Sequence, residues 1–208
     1  MEWKRRKNMG KQLIISIGRE FGSGGHEIAE MLAERFGLKL YDSNLLEEIA
    51  SEKNVDGYHF EKYDEVPRNI FFSRKVKGFS NSMEENIANM QFDYLQKKAA
   101  KGDSFVVVGR CAETMLKAYP ALISIFILGD WDHKVERVQR LYHLPSAEAE
   151  TYILRQDKKR KNYHNYYCNG KWGDSRNYDI SINSSKLGEE ATADMLEDYI
   201  RKCLALRD

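Results

Sequence analysis

Short, mostly apolar segments alternate with amphipathic segments along this chain. The apolar segments cover residues 13–17, 39–41, 105–108, 122–128 and 178–182. A continuous apolar run bounded by polar or glycine-bearing turns is typical of a strand that is covered on both faces. Strands that alternate with helices favour a parallel sheet. The pattern therefore predicts an α/β fold, a five-stranded parallel sheet with helices on both faces.

The intervening segments carry helical spacing and helix-end signals. Apolar residues follow the first strand at positions 28, 31, 32 and 36, and Gly37 then stands where a C-cap glycine belongs. Further helices are predicted to begin near residues 44, 82, 132, 146 and 188. The 208 residues are enough for a single domain, and residues 54–81, which lack clear periodicity, are expected to form a substrate-covering insert.

A glycine-rich loop, GREFGSGGHE, joins the first strand to the first helix. Glycine lets backbone N–H groups turn toward an anion, and a helix N-terminus adds the positive end of a dipole. The loop therefore predicts a phosphate site, with a turn that binds no ligand as the alternative. The predicted binding residues are Gly18, Arg19, Gly22, Ser23, Gly24, Gly25, His26 and Glu27.

The loop departs from the P-loop pattern G-x-x-x-x-G-K-[ST]. With Gly24 as the last glycine of that pattern, Arg19 stands at the first glycine, Gly25 at the lysine and His26 at the hydroxyl residue. The amide cradle is retained, but the lysine that reaches the phosphates and the hydroxyl that holds Mg²⁺ are absent. Arg19 and His26 are both candidates for the replacement cation.

Polar residues follow two further strands at their carboxyl ends, where parallel sheets bind ligands. Asp42 and Ser43 come directly after the second strand, and Arg110 comes after the third. We expect these three side chains to meet substrate at the same edge of the sheet as the glycine-rich loop. Asp42 is alternatively a helix cap or a carboxylate on the metal side of the site, and helix capping is the simpler role for Ser43 and Asn44.

A basic run at residues 155–161 lies late in a predicted helix and precedes a stretch without helical period, NYHNYYCNGKWGDSRN. We interpret residues 155–177 as a lid, and expect residues 158–173 to be mobile without ligand and to close over phosphates. A cationic lid suits phosphoryl transfer, whose transition state spreads negative charge over oxygens. Taken alone, the basic run is more simply a solvated helix face.

Composition narrows the function classes. Lys and Arg number 33 against 32 Asp and Glu, a balance that argues against a nucleic-acid partner. Three cysteines without C-x-x-C spacing and five histidines without ligand spacing predict neither a disulfide framework nor a zinc site, so no metal-ligating residues are assigned. The N-terminal apolar run is too short for a signal peptide, and no run reaches transmembrane length. We therefore expect a cytoplasmic protein without a membrane partner; its oligomeric state is left open.

Several segments resemble the cytidylate kinase-like family, a branch of the P-loop nucleoside monophosphate kinases. They are IISIGREFGSGGHEIAEMLAERFG, LYDSNLL, VVVGRCAE, IFILGDWDHKVERV and, most specifically, WGDSRNYDISINSSKLG. The resemblance implies a core with an acceptor-binding insert and a lid. It also implies transfer of the ATP γ-phosphate to CMP or dCMP with Mg²⁺. Ser43 resembles the serine that meets the acceptor nucleotide, Arg110 the acceptor-phosphate arginine, and Asp157 and Arg160 the catalytic Asp-x-x-Arg of the lid.

The chain also differs from cytidylate kinases at positions of the resemblance. Glu48 stands where those enzymes carry an arginine that helps to recognise CMP, and Val108 and Cys111 replace two aspartates. A glutamate reverses the local field near a phosphate dianion. Two alternatives to a CMP kinase therefore stay open: a kinase of a purine nucleotide or another small phosphorylated metabolite, and a catalytically impaired nucleotide-sensing module.

Overall fold

The structure, a computed structural model, describes residues 12–53, 75–76, 79–80 and 83–207. Most of the predicted insert, residues 54–81, lies outside the described residues. Its described part is a short antiparallel pair of strands. Among the described residues, no helix has both the length and the apolar character needed to cross a lipid bilayer.

Helices and strands alternate as the sequence pattern predicts. The elements are β1 (Ile14–Arg19), α1 (Gly25–Phe36), β2 (Lys39–Tyr41), α2 (Leu45–Lys53), β3 (Lys75–Val76), β4 (Phe79–Ser80), α3 (Met83–Ala100), β5 (Phe105–Val108), α4 (Ala112–Met115), β6 (Leu122–Leu128), α5 (Trp131–Tyr142), α6 (Ser146–Tyr167), β7 (Ile180–Asn183) and α7 (Gly188–Ala205). Short 3₁₀ turns at Ser175–Asn177 and Ser184–Lys186 flank β7.

The main sheet has five strands in the order β2-β5-β1-β6-β7, and every pairing is parallel. This confirms the predicted fold class. The last strand begins at Ile180, two residues later than expected. Asp179 explains the shift, because its carboxylate accepts hydrogen bonds from the backbone N–H and the hydroxyl of Ser124, at 2.7 and 2.8 Å. The side chain thus takes the place of a regular ladder contact.

The core lies on both faces of the sheet, which is why its inner strands are apolar throughout. On one face Ile15 of β1 packs with Leu32 of α1 and Leu196 of α7. On the other face Ile14 packs with Leu95 of α3 and the neighbouring helices. All five side chains are fully buried. Because side chains and helices cover both faces, a ligand would approach the sheet at the carboxyl ends of the strands.

Helices α5 and α6 form a helical hairpin that lies beside the carboxyl ends of the strands. The turn between them uses His143 in the left-handed region, with φ of 54°. Val138 and Ile153 pack between the two helices, and Phe21 of the glycine-rich loop packs against them. The hairpin is therefore positioned by the loop itself.

The predicted loop from residue 162 is wrong in its first part, because α6 continues to Tyr167. Tyr163 and His164 are buried on the inner side of the last turns. Tyr163 packs against Cys111 and Phe92. Aromatic and polar residues give little helical period, so tertiary burial rather than local pattern extends this helix.

Candidate phosphotransfer site

The glycine-rich loop lies between β1, which ends at Arg19, and α1, which begins at Gly25. Gly22 and Gly24 have φ of 81° and 72°, backbone conformations that favour glycine. Gly24 is the N-cap of α1, and no described side chain caps the helix. The first-turn N–H groups are therefore left for an external acceptor, the arrangement that binds anions.

A cleft of about 470 Å³ opens in front of the loop. Its walls are formed by the glycine-rich loop, the strand ends and helices α5 and α6, and they include four arginines. The sequence-predicted residues that line it are Arg19, Gly22, Gly24, Gly25, His26, Glu27, Asp42, Ser43, Arg110 and Arg160. Most of the predicted site residues thus meet in one cleft, although their ligand roles stay predictions.

Arg110 forms part of the floor of the cleft. Gly109, Arg110 and Cys111 have φ of 76°, 58° and 53°, a run of left-handed residues that is costly where a Cβ is present. The buried guanidinium donates from Nη2 to the carbonyl of Asp42 at 2.7 Å and from Nη1 to the carbonyl of Val108 at 3.3 Å. These bonds tie the carboxyl ends of β2 and β5 together and fix the arginine in place.

Arg160 reaches the cleft from helix α6, part of which is predicted from the sequence to begin a lid. Its guanidinium lies over the ring of Phe21, 5.2 Å from the ring centroid, and Nη1 donates to the carbonyl of Arg19 at 3.3 Å. Phe21 in turn meets Tyr152 edge-on at 5.2 Å. Helix α6 is therefore already in contact with the glycine-rich loop.

The buried Lys134 forms ion pairs that anchor the glycine-rich loop. Lys134 of α5 places Nζ 2.9 Å from Oε2 of Glu20 and 3.4 Å from Oδ2 of Asp157. The other oxygen of Asp157 accepts from the N–H of Phe21 at 2.6 Å. Burial raises the pKa of Asp157, against the opposing effects of the Phe21 N–H and Lys134. Asp157 therefore lies in a clamp that fixes the loop and is not among the residues that line the cleft.

Sequence reasoning missed Arg137 as well as Lys134. Arg137 lines the cleft and forms ion pairs with Glu27 of α1 and Glu189 of α7. A signal for it existed, because α5 begins directly after the carboxyl end of β6, at the ligand edge of the sheet.

Arg19 and Gly25 approach so closely that only one of them can carry a side chain. A Cβ built on Gly25 would lie 2.7 Å from Cβ and 3.3 Å from Cγ of Arg19, and a separation below 3.0 Å forces a shift. The P-loop pattern has glycine at the first of these positions and lysine at the second. This chain has the reverse arrangement, so its cation starts from the strand end and reaches the cleft from there.

Two residues of the predicted phosphate site do not line the cleft. A Cβ on Gly18 would lie 2.8 Å from Cδ2 of Phe126, so this glycine permits the close approach of the Phe126 ring of β6. Ser23 is buried, and its hydroxyl donates to the carbonyl of Glu20 at 2.9 Å. Neither lines the cleft; Ser23 lines a second cavity of about 310 Å³ between the loop, α5 and the start of α7. Gly22 and Arg137 line both cavities.

A compact group of titratable side chains lies beneath the Arg110 turn. His164 Nε2 is 2.8 Å from Oε1 of Glu113, and both side chains are buried. Burial alone would lower the pKa of His164, but hydrogen bonds with Cys168 and Glu113 outweigh it and raise that pKa to about 10. A hydrogen bond with Cys111 is the largest cause that lowers the pKa of Cys168 to about 6, with burial opposing it and His164 adding to it.

The comparison with protein families agrees with this geometry. A family model described as the cytidylate kinase-like family matches residues 14–186. The chain belongs to the cytidylate kinase-like family. The cytidylate kinase of Methanococcus vannielii is 27% identical over 193 residues, covering 91% of this chain and 100% of that protein. The cytidylate kinase of Pyrococcus horikoshii is 29% identical over 181 residues, covering 86% and 83%.

Solved structures agree on the fold. An uncharacterized protein from Eubacterium ventriosum is 40% identical, with a TM-score of 0.73, covering 91% of this chain and 99% of that one. The shikimate kinase of Bacteroides thetaiotaomicron is 12% identical, with a TM-score of 0.53 and coverage of 91% and 98%. At that identity the likeness concerns the fold alone, and the fold of this family member is that of the P-loop NTPases.

Proposed function

We propose that this member of the cytidylate kinase-like family transfers the γ-phosphate of ATP to a nucleoside monophosphate, with CMP or dCMP as the first candidate acceptor. The observation that carries the proposal is the exchange at positions 19 and 25. The missing P-loop lysine would argue for a protein that only senses nucleotides. Arg19 answers that argument. It supplies a cation from position 19, which lies against Gly25, the position where the P-loop pattern has its lysine.

Arg19 is the better of the two candidates for the replacement cation. His26 Nε2 lies 3.4 Å from a carboxylate oxygen of Glu30 and 3.5 Å from one of Asp42. Those carboxylates compete with a phosphate for the imidazole. Arg19 lies at the base of the loop and presents a guanidinium, whose fork matches two phosphate oxygens.

Both cavities suit a donor nucleotide that extends across the loop. The phosphates would accept from the first-turn N–H groups of α1, which Gly24 leaves without a side-chain cap. The second cavity, on the other side of Gly22, would hold the nucleoside beside α5 and Ser185. Arg137 lines both cavities and is placed to meet the phosphates between them, once they replace its carboxylate partners.

In the proposed reaction, phosphates and water would supply most of the ligands of Mg²⁺. Proteins bind it in such sites through one or two carboxylates, and Asp42 is a half-buried carboxylate in the cleft wall. When bound, the ion neutralises charge on the phosphate oxygens. The loop has no hydroxyl residue after Gly25, so Asp42 is the side chain that we assign to this task.

The acceptor would lie at the ends of β2 and β5. Arg110 is fixed there by two carbonyls and would position the acceptor phosphate beside Ser43. Arg160 faces it from α6 and would stabilise the charge that develops on the transferring group. The two arginines therefore serve different steps, positioning and transition-state stabilisation.

Glu48 does not oppose CMP as strongly as the sequence suggests. Its carboxylate pairs with Lys39 Nζ at 2.6 Å, and it is not among the residues that line the cleft. The lysine offsets the negative charge, which supports keeping CMP and dCMP as the first acceptors.

Turnover with a panel of acceptors tests the proposal. ADP formation would be measured with ATP, Mg²⁺ and each of CMP, dCMP, UMP, AMP, GMP and small phosphorylated metabolites. We expect acceptor-dependent ADP formation that Arg160→Ala lowers strongly. Lys159→Ala, an exposed cation beside it, is the matched control and should retain the rate. ATP binding without turnover of any acceptor would favour the nucleotide-sensing module.

A further inference from the structure

Three potential metal ligands converge beneath the Arg110 turn, although they are far apart in the sequence. A carboxylate oxygen of Glu113, a ring nitrogen of His164 and the sulfur of Cys168 all lie within 4.8 Å of one another, and all three residues are buried. His164 and Cys168 are one helical turn apart at the end of α6. Cys111, at the Arg110 turn, lies in the same buried cluster as Cys168 but is not one of the three converging ligands.

We propose that Glu113, His164 and Cys168 supply three ligands of a structural site for a divalent zinc-class cation. Zinc is bound in proteins by cysteine sulfur, histidine nitrogen and carboxylate oxygen, and this group offers one ligand atom of each kind. The site departs from the sequence-based expectation of no metal ligands. It rests on this cluster alone and is independent of the proposed kinase activity.

The charges of the cluster suit such an ion. A carboxylate that is withdrawn from water is costly unless a cation compensates it, and without a metal the imidazole of His164 is the partner of Glu113. A divalent ion compensates the carboxylate and leaves the imidazole neutral, the form that ligates. Mg²⁺ would not compete well, because it prefers oxygen ligands.

A second layer of contacts already orients the histidine. With Nε2 turned toward Glu113, the other ring nitrogen, Nδ1, lies 3.3 Å from Oδ1 of Asn165. That oxygen also accepts from the N–H of Trp172 at 2.9 Å. Metal-ligating histidines commonly donate their second N–H to such an acceptor, which fixes the ring.

A metal here would fasten the end of the lid helix to the acceptor turn. Glu113 lies three residues after Arg110, and His164 lies four residues after Arg160. The two arginines, which both line the cleft, would thus be fixed from below. We therefore expect the ion to raise thermal stability as well as to bind.

Metal reconstitution of the full chain tests the site. Protein stripped with a chelator would be titrated with Zn²⁺, and with Co²⁺ as a spectroscopic probe. We expect uptake of a single ion per chain, a rise in Tm, and a thiolate-to-cobalt charge-transfer band. Cys168→Ser should weaken binding by about tenfold or more and reduce that band. Cys203→Ser, which removes the cysteine outside the cluster, should leave both unchanged.

Glu113→Gln provides a second variant that keeps the side-chain shape. It should weaken Zn²⁺ binding while circular dichroism shows a folded protein. The proposal is overturned if the folded, stripped wild-type chain takes up no Zn²⁺ in stoichiometric amount. It is equally overturned if Cys203→Ser loses the cobalt band as fully as Cys168→Ser does, or if Mg²⁺ displaces Zn²⁺ at comparable concentration.

Discussion

Restoring the ordinary P-loop arrangement is the most informative perturbation of this chain. Arg19→Gly removes the proposed cation, and Gly25→Lys supplies the P-loop lysine. Alone, each change should lower kcat. Arg19→Gly leaves the phosphates without their cation. Gly25→Lys sets a Cβ 2.7 Å from that of Arg19 and so forces the backbone to move. The double variant removes the collision with Arg19, leaves the milder approach to Ile127 Cβ at 3.3 Å, and provides the cation, so it should recover much of the activity.

The magnitude follows from the charge that is removed. Loss of one preorganised group that stabilises transition-state charge costs about 10²–10³ in kcat, or about 2.7–4 kcal/mol. Arg19→Gly should therefore lower kcat by that factor. The double variant should return to within about tenfold of the wild type, which amounts to a favourable coupling of at least ~1.4 kcal/mol.

A matched control separates sterics from charge. Arg19→Ala also removes the cation but keeps the Cβ, so combining it with Gly25→Lys retains the collision and should not rescue turnover. All variants would be compared by steady-state kcat with the best acceptor, and by circular dichroism to verify folding. The reasoning is refuted if Arg19→Gly keeps the wild-type kcat, or if the Ala and Gly double variants recover equally.

Four further predictions follow from the site. Arg160→Ala should lower kcat about a hundredfold or more, whereas Arg110→Ala should mainly raise the acceptor KM; identical profiles would contradict their separate roles. Gly24→Val should abolish ATP-dependent thermal stabilisation, because that position has φ of 72° and a Cβ there would meet an α7 side chain at 2.6 Å. Lys134→Met removes the cation that two partly buried carboxylates share, at a cost of about 3 kcal/mol, so calorimetry should show a Tm lower by roughly 6–12 °C. Hydrogen exchange over residues 158–173 should slow when nucleotide and acceptor bind together; equal protection would argue against lid closure.

The fold was accessible from the sequence because its signals are local. A strand covered on both faces must be apolar along its length, and Phe105–Val108 and Leu122–Leu128 are found with the predicted bounds. The last turns of α6 were not accessible, because Tyr163 and His164 are held by burial against other elements. The local sequence pattern of α6 carries no information about the residues of other elements against which these side chains pack.

The candidate site was accessible only in part. Loop glycines and strand-end residues such as Arg110 could be predicted, since parallel topology brings these ends together. The clamp of Lys134 and Asp157 could not, because it depends on how the α5–α6 hairpin leans on the loop. The contact of Glu113 with His164 spans 51 positions and obeys no spacing rule. The exchange of Arg19 and Gly25 is visible as letters, but its steric cause requires coordinates.

In the proposed reaction, ATP gives up its γ-phosphate in this cleft. Incubation of the unmodified protein with γ-labelled ATP, Mg²⁺ and CMP, followed by separation of the nucleotides, tests this transfer. We expect acceptor-dependent appearance of the label in the β-position of CDP, with unlabelled ADP as the second product. Label that stays in ATP with CMP and with every other acceptor of the panel, while the protein binds ATP, would contradict it.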